Sequence, residues 1–337
     1  ICELFFRRVP AGTRLKGATL KLETYMIMVE TPVLFITFAR PDYARQTWDG
    51  IKAAKPQTLY FYSNKGRQEK EGEMEKNDEI RSFIKEIDWD CDLHTWFREE
   101  CVNVYDSLRG AISWLFDNEE EGIILEEDCV PTKAFFSFVD QMIKRFKDDK
   151  RVWCISGDNI IKQNPSGYDY MFSHLHAMYG WASWRDRWRM IDWEHLHVKD
   201  MIDKHIYYRL FKTKEQARAK EKSLLKMEEM LYRTKCWDYI FGLAMDQYHA
   251  FTVQPKEHLV KNIGISGHHH KNAKPSAYNC DPNPSGETYI IGKEPPFVFA
   301  DFEHDYMTYC RLLKQPNLLV RIYNKVINLF RRFVDGH

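Results

Sequence analysis

The sequence predicts an α/β protein, a three-layer sandwich on a mostly parallel sheet. Three observations predict it. The first half alternates short apolar runs with amphipathic helical stretches. The apolar runs end in polar residues, as buried strands do at their carboxyl ends. At 337 residues and 44% hydrophobic content, the chain can bury one large α/β domain or two modest ones.

The elements follow in order. "TPVLFITFAR" holds Val33, Leu34, Phe35, Ile36 and Phe38 and reads as a buried strand. "PDYARQTWDGIKAAK" reads as a helix with Pro41 in its first turn. "QTLYFYSN" is a second strand that ends at the turn-like "SNKGR", which completes a βαβ unit. "VNVYDSLRGAISWLF" sets Val104, Leu108, Ile112, Leu115 and Phe116 on one helical face. Gly122 to Leu125 is a further strand. "PTKAFFSFVDQMIKRF" is a helix with Phe135, Phe138, Val139, Met142 and Phe146 inward, and "RVWCISGDN" is another strand. The second half is helical from about 199 to 250, with a Lys/Glu-dense stretch that reads as a solvated face. "FTVQP" is a short strand, and the region from "NIGISGHHHK" onward is loop-rich.

Composition narrows the function. The 49 Lys and Arg balance 49 Asp and Glu, which argues against a nucleic-acid binder that neutralises phosphates broadly. Eight cysteines are scattered with no C-x-x-C pair, so a zinc ribbon is not expected and buried thiols in a reducing compartment are. No apolar stretch reaches the ~20 residues of a membrane span. The start lacks the apolar core of a signal peptide. Met26 and Met28 stand just before the first strong strand, so residues 1–30 are set aside as an extension. Neither G-x-G-x-x-G nor G-x-x-x-x-G-K occurs, so a phosphorylated ligand needs another cradle.

The segment "EGIILEEDCVP" offers one. Glu126, Glu127 and Asp128 stand at the carboxyl end of a strand, where open α/β sheets bind ligands. Crowded carboxylates repel, and Mg2+ or Mn2+ would relieve them. The plainer account is that they face the N-terminus of the next helix, near Pro131.

Four segments in order resemble GT-A glycosyltransferases, above all N-acetylglucosaminyltransferase I-like enzymes and bacterial relatives. These are "ILEEDCVPTKAFFSF", "RVWCISGDN", "GWASWRDRW" and "CWDYIFGLAMDQYHAFTVQPKEHLVKNIG", spanning roughly residues 32 to 270. The resemblance implies a GT-A (Rossmann-like) domain over 31–300, with a nucleotide-binding half 31–160 and an acceptor-side half 161–300, before a helical tail 301–337. It implies Asp128 as metal ligand for Mn2+ or Mg2+ and Asp238 as catalytic base. Glu126 and Glu127 would hold sugar or ribose hydroxyls or support the metal. Phe38, Arg40 and Asp42, with Asn64, match the nucleobase edge, and Arg109 and Trp181 join the nucleotide-sugar site. A histidine of "GHHHK" (His268, His269 or His270, with His270 preferred) would complete the metal site. Trp181 and Trp184 either face a sugar or fill the core, and His174 and His176 read as hydrogen-bonded core residues. Asp238 has a second account, as a helix cap near Trp237.

The function implied is a metal-dependent, inverting hexosyl- or N-acetylhexosaminyl-transferase of polysaccharide biosynthesis. It would use a nucleotide-sugar, UDP-linked by expectation, and a glycan or lipid-linked acceptor. Nucleotidyl transfer to a sugar and non-catalytic carbohydrate binding are the alternatives. The absence of glycine in "FARPDYARQ" counts against the first of these. The tail carries Leu319, Ile322, Tyr323, Val326, Phe330 and Phe333 with Arg321, Lys325, Arg331 and Arg332. It either lies on an anionic membrane or closes the domain, and the expected location is cytoplasmic, at the inner membrane face if the tail binds lipid.

Overall fold

The computed structural model describes residues 29–264 and 277–312. The N-terminal extension before Val29, the histidines at 268–270 and the amphipathic tail beyond Leu312 lie outside the described residues.

One sheet runs through the molecule in the order β3-β2-β1-β4-β8-β6-β9-β7. Its strands are β1 (Val33–Thr37), β2 (Thr58–Ser63), β3 (Asp92–Phe97), β4 (Glu121–Glu126), β6 (Val152–Ser156), β7 (Tyr170–Ser173), β8 (Trp181–Trp184) and β9 (Phe251–Pro255). The strands β3, β2, β1 and β4 are parallel, as are β6 and β9. Strand β8 runs antiparallel between β4 and β6, and β7 is an antiparallel edge. A small second sheet pairs β5 (Cys129–Pro131) with β10 (Val260–Asn262).

The three layers follow from the pleat. Val33 and Phe35 point to one face, where they join Trp48, Ile51, Phe135, Phe138 and Met142. Leu34 and Ile36 point to the other, with Leu108, Ile112, Leu115, Trp153 and Phe241. The first face is covered by α1 (Pro41–Ala54) and α4 (Lys133–Arg145), and the second by α3 (Val104–Asn118) and α9 (Trp237–Gln247). All five residues of β1 are buried, because a strand between parallel neighbours has helices on both faces.

Several sequence readings need correction. Val104 opens α3 and is 54% exposed, so the buried face starts at Tyr105 and Leu108. The helical region 199–250 is four helices: α6 (Val198–Asp203), α7 (Tyr207–Leu210), α8 (Lys214–Thr234) and α9. Positive φ at His205 (52°) and Lys235 (48°) marks breaks between them. Strand β3, the helix α2 (Glu73–Arg81) and the strand character of Trp181–Trp184 were not read from the sequence. The last is a buried strand with no polar alternation, and a run of Trp does not declare a period.

Candidate active site

Register decides what meets at the carboxyl edge. Ile36 pairs with Glu126 and Tyr62, and Thr37 with Ser63. The residues that leave these strands, Phe38, Asn64 and Glu127, therefore emerge side by side. They line a cavity of about 950 Å3 whose far wall is Val102 to Leu108 at the start of α3.

After the turn at Glu127 and Asp128 the chain forms β5, and only then does α4 begin, capped by Thr132, which accepts the Phe135 N–H. The acids instead meet the start of α1, through the Phe38 N–H and the side chain of Arg40, its N-cap residue.

Each acid is held differently. Glu127 is 4% exposed and accepts the Phe38 N–H at 2.7 Å and Arg40 Nε at 2.5 Å. It braces the β1–α1 turn and also lines the cavity. Asp128 lines the cavity and accepts Arg40 Nη2 at 3.0 Å on Oδ2. Glu126 has no hydrogen bond or ion pair among the described residues. Burial, then the charges of Asp128 and Asp238, push its pKa up to about 8. Burial opposes the Arg40 charge, but Glu127 and Asp128 outweigh it and raise its pKa above the ordinary value.

Asp238 lies in the first turn of α9, whose N-cap position is Cys236. It therefore does not cap the helix in the usual way. Its Oδ1 accepts the Tyr239 N–H at 3.0 Å, and burial raises its pKa. Its charge acts on both Glu126 and Tyr179. Asp238 itself is not among the residues that line the cavity. Below Asp238, Trp237 stacks on Trp181 with centroids 5.7 Å apart and planes at 19°.

Other expected residues fall elsewhere. Trp181 is fully buried and part of the core, as is Trp184, so neither offers a face to a sugar. Asp42 is exposed on the first turn of α1 and does not line the cavity, because the helix turns it outward. Arg109 sits on α3 with its guanidinium over Trp193 at 5.0 Å, also away from the cavity lining. Asn64 lines the cavity, but its side chain is engaged with the Val102 backbone, donating to the carbonyl at 2.9 Å and accepting the N–H at 3.2 Å. His176 bonds Asp246 at 3.0 Å, and burial lowers the His174 pKa to about 4, which fits core roles for both.

Two contributors escaped the sequence reading. Asn77, fully buried on α2, donates to the carbonyls of Phe38 and Asn64 at 2.6 and 2.8 Å and ties β1 to β2 at the cavity floor. A lone Asn in the charged run "EMEKNDEIR" gives no signal of this. Gly264 is the other. Pairing of β10 with β5 lays the "NIG" segment on Asp128, whose carbonyl accepts the Ile263 N–H at 2.9 Å. A Cβ at Gly264 would lie 2.3 Å from Asp128 Oδ2.

The donor set suits a hard divalent ion in part. Among the described residues, no three His, Cys, Asp or Glu side chains are grouped to hold one. Magnesium, however, is commonly held by one or two carboxylates plus substrate phosphates. Asp128 and the unpaired Glu126 could supply that share.

No family model matches the chain, and no curated protein does. Solved structures give distant likenesses. A UTP-bound UGPase from Acinetobacter baumannii is 6% identical, with 69% of this chain and 88% of that one covered and a TM-score of 0.33. A UDP-glucose pyrophosphorylase complexed with UDP-glucose is 8% identical (48% and 78% covered, TM-score 0.25). A 4-diphosphocytidyl-2C-methyl-D-erythritol synthase from Anaerococcus prevotii is 12% identical (64% and 99% covered, TM-score 0.26). None of the three is named a glycosyltransferase. At these scores the likeness carries no argument about activity, and the α/β architecture rests on the strand order itself.

Proposed function

We propose that residues 31–300 form a nucleotide-sugar-dependent glycosyltransferase that uses the cavity at the ends of β1, β2 and β4 for the donor. The observation that supports this reading is the pair Glu126 and Asp128 on the wall of that cavity, at the carboxyl end of β4, beside the Arg40 guanidinium. Its volume is in the range of roughly 300–1,000 Å3 usual for small-ligand sites.

The nucleoside lies between Phe38 and the start of α3, and the diphosphate reaches Arg40 and Asp128. The bond from the anomeric carbon to the diphosphate oxygen breaks, and its electron pair leaves with the diphosphate. The acceptor hydroxyl oxygen bonds that carbon from the opposite face, and its proton passes to the Asp238 carboxylate. One displacement inverts the anomeric centre. Asp128 and Glu126 would hold a magnesium or manganese ion, which would supply Lewis-acid stabilisation of the leaving diphosphate. The raised Asp238 pKa makes it a stronger base than an exposed Asp of pKa ~3.9.

The second reading is nucleotidyl transfer, the chemistry that the pyrophosphorylase names carry. It shares the nucleotide-sugar ligand. The β1–α1 connection, Phe38 to Arg40 with Pro41 opening the helix, has no glycine-rich loop to wrap a triphosphate. One assay separates the readings. Under glycosyl transfer, a panel of nucleotide-sugars with Mn2+ and sugar acceptors releases nucleoside diphosphate. Release of nucleoside triphosphate only when pyrophosphate is added would establish the second reading instead. No release of either, with no nucleotide-sugar binding, would leave neither standing.

A further inference from the structure

Arg40 reaches from the end of β1 to two acids that are held unequally. Glu127 is buried and also fixed by the Phe38 N–H, so its bond to Arg40 Nε is a permanent anchor. Asp128 lines the cavity with its side chain 15% exposed. Among the described residues, its carboxylate takes one strong donor, Arg40 Nη2 at 3.0 Å, and one weak one, Cys129 Sγ at 3.7 Å. Gly264 covers the same Oδ2 from the other side.

A divalent cation that approaches Asp128 therefore meets a guanidinium already in place, and two cations on one carboxylate repel. The guanidinium has an alternative partner. Its planar fork matches the oxygens of a diphosphate. We propose that Arg40 is an exchangeable counter-ion: it holds Asp128 in the ligand-free protein, and on nucleotide entry its Nη arm turns to the diphosphate, pivoting on Glu127. Asp128 then becomes free for metal. Metal and nucleotide binding are thereby coupled, and coupling of this kind is reciprocal. This rests on the nucleotide-sugar reading above.

The test is Mn2+ binding to the metal-free protein, followed by electron paramagnetic resonance, with and without UDP. The wild type is expected to bind Mn2+ about tenfold more tightly when UDP is present, a coupling of ordinary size. Arg40→Met is expected to bind Mn2+ alone about tenfold more tightly than wild type, since the competing cation is gone. Arg40→Lys guards against misfolding of that variant. It keeps a cation for Glu127 but cannot bridge both acids, and it too should tighten Mn2+ binding without UDP. Unchanged or weaker Mn2+ binding in both variants overturns the proposal, as does a wild type that binds no Mn2+ in either condition. A wild type that binds Mn2+ but no nucleotide defeats the functional reading and the nucleotide half of the exchange, while the Mn2+-only affinities still decide whether Arg40 competes.

Discussion

Asp238 is a half-buried carboxylate with one oxygen on the Tyr239 N–H, and burial raises its pKa. In the proposed mechanism this carboxylate accepts the proton of the attacking hydroxyl. Asp238→Asn is expected to lower kcat by about 10²- to 10⁴-fold, the usual worth of a positioned base. Nucleotide affinity, read by thermal shift, should stay near wild type. Near-full transfer activity in that variant removes Asp238 from the mechanism. Asp128 and Asp238 were singled out in the sequence by resemblance, through the segments "ILEEDCVP" and "CWDYIF". Asn77 and Gly264 were not. Their importance lies in what touches them, and a residue's own type does not encode that.

The β5–β10 pair is the element that completes the site. It carries Gly264 onto Asp128, where any side chain would press on the carboxylate. Gly264→Ala is therefore expected to cut turnover by about 10²-fold, because a small displacement of a catalytic group costs that much. The melting temperature should move little, since the segment is outside the main sheet. A variant with normal turnover would show that Asp128 tolerates displacement. Gly122 makes the contrast. It is buried in β4, and a Cβ there would sit 2.5 Å from Leu115 Cδ2. Gly122→Ala should destabilise by about 1–3 kcal/mol through overpacking, measured by denaturant unfolding. Strands β1, β2, β4, β6 and β9 could be anticipated from compact apolar runs. Strand β8 could not, because its four residues show neither period.

At the scale of the whole molecule, two kinds of buried group act oppositely on pH sensitivity: histidines held neutral, and acids such as Glu126 and Asp305, whose pKa is raised to about 8 and about 7 chiefly by burial. His174, His258 and His304 each have a pKa lowered to about 4, chiefly by burial. The unfolded chain protonates them first, near pH ~6.5. Between that value and about 4 the unfolded state binds more protons at these three sites, so their contribution to stability falls as pH falls. His304→Gln should therefore shift the slope of stability against pH toward greater relative stability in acid, as measured by denaturant midpoints from pH 7 to pH 4.5. An unchanged slope would show that the imidazole of His304 is charged or open to water in the folded state. The sequence by itself determined the layered α/β class and the edge where the acids emerge, because apolar period and strand polarity are local properties of the chain. Only the tertiary structure decided that Glu127 braces the β1–α1 turn, that Asp128 is shared with Arg40, and that Trp181 is core. Those outcomes depend on register and on strand insertion between β4 and β6, which bring together residues too far apart in the chain for local pattern to relate.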